Sequence, residues 1–323
     1  MKRIFHCTVS NQIELLYAKT CLKNFLKTYV VKDRYFLELA VMELGTNLLK
    51  YSGSGELWFL LIQDTFALAS VDLGVGVDDI DIIKQKGYSS RTNQSLGLGL
   101  YSLATHKAYD FDVISFTQKN TLSLRGSVFV LYEKNVNRGS FCSMSLALYD
   151  SEHNGDFVAQ KGNTLFVGDI SGHGKKAFLS ASQIINHFYN TTIFDGNFHE
   201  YFQKLHRFIA QNALRSFVGC FIELHQETWK LSGVGNISVA IKQNGHYKLQ
   251  TFAQGIVGEA FENASSLEFL KKEVSLLMLM TDGIDAQRAL EVLEKFDTHS
   301  KESLAVAILH FAGLHDDKTV VII

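Results

Sequence analysis

Four short acidic motifs punctuate the second half of the chain, and each stands where an apolar run ends. Residues 164–167 read as a strand that enters Gly168-Asp169-Ile170-Ser171-Gly172-His173-Gly174, and 176–188 then has helical spacing. The alternating run 143–149 leads to Asn154-Gly155-Asp156. The apolar run 274–280 enters Thr281-Asp282-Gly283, and 311–315 leads to Asp316-Asp317-Lys318-Thr319 before the terminal strand 320–323. An acid at a strand end has its backbone fixed by the sheet and its carboxylate in a cleft. Gly172 and Gly174 permit close backbone approach. Oxygen-only donors in this number suit one or two magnesium or manganese ions rather than zinc, which prefers His and Cys.

These motifs, in this order and approximate spacing, resemble the SpoIIE-like protein phosphatases, a branch of the metal-dependent PPM serine/threonine phosphatases. The likeness covers about residues 139–323, and the size is most similar to the compact RsbX-type members. The resemblance implies a PPM-type α-β-β-α sandwich. It implies that Asp169 bridges two Mn2+ or Mg2+ ions, with the Ile170 carbonyl as a further ligand. Asp282 and Asp316 would complete one shell, and Asp156 would serve the other ion, partly through water. Some branches carry Gly where Ile170 stands, but either residue offers a backbone carbonyl.

The first half has a different pattern. Residues 11–29 have helical spacing. Asp33 is placed to cap a helix over 34–51 that ends at Ser52-Gly53-Ser54-Gly55. On that helix Phe36, Leu39, Ala40 and Leu44 are predicted to face the core, and Glu43 and Asn47 share one face. Strands are predicted over 57–62 and 66–73, the second holding Asp72 before Gly74-Val75-Gly76. A polar segment, 87–94, precedes Gly97-Leu98-Gly99 and a helix to about Tyr109, and 111–116 with 123–132 forms a hairpin. Taken singly, each piece is an ordinary helix stripe or turn. Together they have a purpose. Asn47 can hold magnesium and Glu43 can act as a general base. Asp72 can accept the adenine amino hydrogen, and Gly97 and Gly99 can present N–H groups to phosphates.

Glu43-Leu44-Gly45-Thr46-Asn47, Asp72-Leu73-Gly74-Val75-Gly76 and Ser95-Leu96-Gly97-Leu98-Gly99-Leu100 resemble the N-box and two glycine boxes of GHKL ATP-binding domains. Specifically, they resemble the small RsbT- and SpoIIAB-like serine kinases of bacterial partner-switching systems, over about residues 5–133. Val75 stands where that family commonly has Pro. The resemblance implies a Bergerat-type α/β sandwich binding ATP-Mg2+, with 87–94 as the lid. No His-box is present, which argues against a two-component histidine kinase.

The expected organisation is therefore α/β (α+β) in two domains: residues 1–133, a linker 134–140, and residues 141–323. Gly233-Val234-Gly235-Asn236 is read as a structural hairpin, and Asp285 as the cap of a helix over 286–296. His173 either touches the incoming phosphate or a metal-bound water, or only closes its turn. Lys175 and Lys176 are read as solvated. A formal charge of −2 over 323 residues argues against a general nucleic-acid or membrane-surface binder. No apolar run is long enough to span a bilayer, and no signal-peptide core follows the basic N-terminus. Cys7, Cys21, Cys142 and Cys220 have no paired spacing, in keeping with a cytoplasmic chain.

By resemblance, the chain would act on the phosphoserine or phosphothreonine of a STAS-domain antagonist in stress-response or sigma-factor signalling. It would add phosphate from ATP through the first domain and remove it through the second. Two alternatives are a phosphatase whose first domain only senses nucleotide or docks a partner, and a non-enzymatic partner-switching adaptor.

Overall fold

The computed structural model describes residues 4–62, 65–83, 85, 98–117, 124–134, 140–148, 153–191 and 197–323. The expected lid, 87–94, together with Gly97 and most of the expected linker, lies outside the described residues. Contacts group the chain into two compact units, Lys2–Cys142 with Glu291–Phe311, and Ser143–Leu290 with Ala312–Ile323.

The first unit begins with β1 (Ile4–Val9), α1 (Gln12–Phe25) and α2 (Arg34–Asn47). It continues with β2 (Gly55–Ile62), β3 (Thr65–Asp72), the short α3 (Ile80–Ile83), α4 (Gly99–Ala104), β4 (Tyr109–Phe116) and β5 (Gly126–Glu133). The strands form one antiparallel sheet in the order β1-β2-β3-β5-β4. Asn11 and Asp33 cap α1 and α2, accepting from Glu14 N at 3.0 Å and Phe36 N at 2.9 Å. Leu15, Ala18 and Leu22 of α1 and Leu37, Ala40 and Leu44 of α2 pack in one cluster with Leu57, Phe59, Leu68 and Leu131.

Three expectations change here. Leu39 is 47% exposed, because Leu37, Ala40, Val41 and Leu44 take the buried stripe and Leu39 falls off it. The α-helix expected to reach residue 51 ends at Asn47 and passes into a π-helical turn, Leu48–Ser52. The helix expected to reach Tyr109 stops at Ala104, and fully buried Tyr109 opens β4 instead.

The second unit contains β6 (Cys142–Leu146), β7 (Phe157–Lys161), β8 (Thr164–Ile170), α5 (Lys175–Asn190), α6 (Phe198–Gln211) and β9 (Phe217–Leu224). Next come β10 (Thr228–Val234), β11 (Ser238–Gln243), β12 (His246–Gln250), β13 (Ser265–Leu270) and β14 (Val274–Met280). The chain closes with α7 (Ala286–Phe296), α8 (Lys301–Phe311), which groups with the first unit, and β15 (Lys318–Ile322) of the second. Two five-stranded sheets result, ordered β13-β10-β9-β8-β7 and β12-β11-β14-β15-β6. Phe166 and Phe221 stack at 4.0 Å on adjacent strands and pack in one cluster with Ala181, Ile184 and Phe188 of α5 and Phe202 and Leu205 of α6. That contiguous layer anchors β8, whose next-to-last residue is Asp169.

α8 packs on β5 and β4 of the first sheet. Every residue of α8 but Lys301 and His310 is buried, Glu302 and Ser303 included. A helix apolar on all sides belongs in an interior. Phe116 of β4 meets Phe296 and Phe311 edge-on at 5.2 and 5.0 Å. Asp112 of β4 binds His299 at 2.6 Å. The strands had signalled this second cover. Ala67, Ala69 and Val71 on one face of β3 are as buried as Phe66 and Leu68 on the other, the mark of a sheet covered on both faces.

Candidate active site

Asp169 is the next-to-last residue of β8 and pairs in register with Val218 of β9. The strand therefore continues through the acid, and the turn begins only at Ser171. Asp156 follows Asn154-Gly155 just ahead of β7 and is completely buried. Asp282 lies just beyond β14 and is exposed. The fold brings these three carboxylates together. Asp169 is pushed up to about 10, first by burial and then by the charges of Asp156 and Asp282 beside it. Burial raises Asp156 to about 7, against the pull of hydrogen bonds from Thr281 and Thr319.

Thr281 donates its hydroxyl to Asp156 Oδ2 at 2.8 Å and accepts from Thr319 N at 2.9 Å. The other oxygen, Asp156 Oδ1, is buried with no hydrogen-bond donor. A buried acceptor with no donor, on a carboxylate close to a second one, is costly unless a cation or proton stands beside it. Among the described residues no three His, Cys, Asp or Glu side chains already close into a metal cage. The donor set is nonetheless all oxygen, and the orphaned Asp156 Oδ1 fits a hard divalent ion.

The last motif divides its two acids. Asp317 is buried and accepts from Leu148 N at 2.6 Å and Gly155 N at 2.7 Å. It pins the segment that delivers Asp156. Asp316 is exposed and accepts from Asp317 N at 2.8 Å. We expect Asp317→Ala to leave both N–H groups buried and unmatched, costing about 2–4 kcal/mol in chemical denaturation. Loss of less than about 1 kcal/mol would show the pin to be dispensable.

Sequence reasoning missed several residues here. Asn236, read as part of a structural hairpin, donates its side-chain amide to Asp282 Oδ2 at 3.0 Å. β10 extends through Val234, so the turn tightens onto Gly235 and Asn236. Thr281 and Thr319 sat inside the quoted motifs, where their bonding partners were not visible. Arg215, whose guanidinium donates to Ser171 O at 2.7 Å, has no local signature at all. Asp285 does cap α7, accepting from Gln287 N and Arg288 N at 3.0 and 3.1 Å.

In the first unit, Asp72 ends β3, is buried, and accepts from Gly74 N at 2.7 Å. Gly76 follows, backed against the Phe116 carbonyl. Gly99 is the first residue of α4, and a Cβ there would collide with the Glu43 carboxylate. Glu43 and the Gly99 helix start are therefore neighbours, although 56 positions separate 43 from 99. Asn47 is the last residue of α2 and is half-buried.

Among the described residues no helix is long and apolar enough to cross a membrane. No curated protein matches the chain. Several solved structures are similar, one of them described with the words "The bacterial stressosome: a modular system that has been adapted to control secondary messenger signaling". It is 23% identical with a TM-score of 0.47, over 56% of this chain and 96% of its own. RsbX in complex with magnesium is 16% identical, TM-score 0.44, over 56% and 92%. The serine/threonine phosphatase PstP/Ppp of Mycobacterium tuberculosis is 12% identical, TM-score 0.45, over 56% and 96%. The family described as Stage II sporulation protein E (SpoIIE) matches residues 159–323, just over half of the 323. That stretch holds the Asp169 turn and the Asp282 and Asp316 motifs, so the chain carries a SpoIIE-type PPM phosphatase domain and belongs to the SpoIIE family.

Proposed function

We propose that the chain is a metal-dependent phosphoserine/phosphothreonine protein phosphatase of a bacterial partner-switching system, acting on a STAS-domain antagonist. One observation carries the reading: buried Asp156 Oδ1 has no donor and lies in the oxygen cluster of Asp169 and Asp282. Asp156, Asp169, the Ile170 carbonyl, Asp282 and Asp316 would hold two Mn2+ or Mg2+ ions. Such ions, when bound, neutralise phosphate charge and acidify water.

The chain's own residues prepare the site. Thr281 holds one oxygen of Asp156 and leaves the other available. Asn236 orients Asp282. The β8–β9 ladder fixes the backbone at Asp169 and Ile170. The test is hydrolysis of p-nitrophenyl phosphate, and of a phosphorylated STAS protein followed by intact mass, with Mn2+, Mg2+ or EDTA. Absence of turnover with every metal would sink the reading.

For the first unit the reading is an ATP-binding, serine-kinase-like domain. Asn47 would hold Mg2+, Asp72 would read adenine, and Gly74, Gly76, Gly97 and Gly99 would approach the nucleotide. The closeness of Glu43 to the Gly99 helix start favours this over a docking module, because a base is useful only beside the phosphates. In an Asp169→Asn background with ATP-Mg2+, phosphorylated STAS protein should accumulate, and Glu43→Ala should abolish it. No phosphoprotein in that background would leave the nucleotide-sensor reading.

A further inference from the structure

We infer that Arg215 is the side chain that holds the substrate's phosphoryl group at the Asp156–Asp169–Asp282 cluster. This rests on the phosphatase reading above and supplies a cationic anchor that the reading lacks. Arg215 lies in the turn between α6 and β9, just ahead of Phe217 and Val218, the partners of Ile170 and Asp169. The backbone is held at Arg215 and at the residue after it. Arg215 N donates to Ser180 Oγ at 3.1 Å, and Ser180 is buried. The neighbouring Ser216 O accepts from Ser171 N at 2.9 Å.

The guanidinium is held as well. Nη1 donates to Ser171 O at 2.7 Å and fills the space a Cβ on Gly172 would take. Gly172 has φ +76°, so that position is closed to other residues on two counts. A guanidinium carries five N–H donors, and one of them makes the recorded bond. Among the described residues Arg215 has no carboxylate partner. Its other donors are free to take a ligand where Ser171, Gly172 and His173 are exposed.

A purely structural role explains less. Ser171 is already tied by its N–H to Ser216, the residue just ahead of β9, and its hydroxyl meets Ser216 Oγ at 2.9 Å, which in turn donates to Glu259 Oε1 at 2.6 Å. The turn is fixed without a charged staple. In the turn that follows Asp169, a fixed guanidinium with spare donors matches a tetrahedral oxyanion, which it can grip with its fork. Lys175 and Lys176 are exposed at the start of α5 and lack such anchoring.

The test uses the full chain loaded with Mn2+. It reads KM and kcat for p-nitrophenyl phosphate, inhibition by inorganic phosphate, the thermal shift produced by inorganic phosphate, and Mn2+ affinity. Arg215→Ala should raise KM and the phosphate inhibition constant about tenfold or more, shrink the phosphate thermal shift, and leave Mn2+ affinity within about twofold. Arg215→Lys keeps the charge without the fork and should fall between, at about threefold to fivefold. Unchanged phosphate inhibition and KM in Arg215→Ala would overturn the inference. So would loss of Mn2+ affinity with phosphate inhibition unchanged, the pattern of a staple. If Arg215→Ala does not fold, Arg215→Lys decides by the same phosphate readings. A wild type that hydrolyses no phosphate ester defeats the underlying reading instead, and is recognised before any variant is made.

Discussion

Asp169→Asn should abolish metal-dependent phosphate-ester hydrolysis, lowering kcat by about a thousandfold or more, while leaving the ATP binding proposed for the first unit intact. The size follows from position. Asp169 is the carboxylate flanked by both Asp156 and Asp282, so its loss removes the charge that would be shared. The same substitution should act in the opposite direction on the metal-free chain. The charges of Asp156 and Asp282 each act against an ionised Asp169, and burial of Asp169 adds to that cost. Replacing one carboxylate with a neutral amide relieves it. The metal-free variant should therefore melt no lower than the wild type, whereas the rise in melting temperature on adding Mn2+ should vanish. Calorimetry with and without Mn2+ reads both effects. A variant that still gains full Mn2+ stabilisation would remove Asp169 from the ion-holding set. One that melts far lower without metal would make Asp169 a structural residue rather than a strained one.

The part of this site legible in the sequence was the part written locally. Each acid follows an apolar run, and strand ends announce themselves through hydrophobicity. Helix caps were legible for the same reason, since Asp33 and Asp285 act on N–H groups two or three residues away. What escaped is nonlocal. Asp317 reaches Gly155 across 162 positions, and Asn236 reaches Asp282 across 46. Neither bond leaves a trace in periodicity. Strands β12 and β13 escaped because they are short, and no residue in either is buried, so neither shows an apolar run. The covering of the first sheet lay between these cases. Its need was written in doubly buried strands such as Thr65–Asp72, but the identity of the cover, residues from far downstream, was not.

That cover yields the second large effect: a fragment ending at Cys142 should not fold cooperatively by itself. In register, Val71, Val128 and Ile114 share one face of the sheet, with Ala69 and Val130 beside them and Phe116 at the end of β4. All six are buried. Phe296, His299 and Phe311 supply contacts on that face, through Phe116 and Asp112. Exposing Ile114, Phe116, Val128 and Val130 alone would forfeit about 6–12 kcal/mol, as an upper estimate from area transfer. That is comparable to the whole stability of an ordinary domain. A bare apolar sheet face also invites association. The measurement is circular dichroism melting of residues 2–142 alone against the same residues with Glu291–Phe311 restored through a flexible linker. Only the second should give a sigmoidal, concentration-independent transition. In the full chain, Phe116→Ala should cost about 3–5 kcal/mol, because the cavity opens between two rings that cannot collapse onto each other. If residues 2–142 melt cooperatively as a monomer, the first domain is autonomous, as a boundary near residue 133 implies. The segment 291–311 would then be a guest on its sheet rather than a layer of its core.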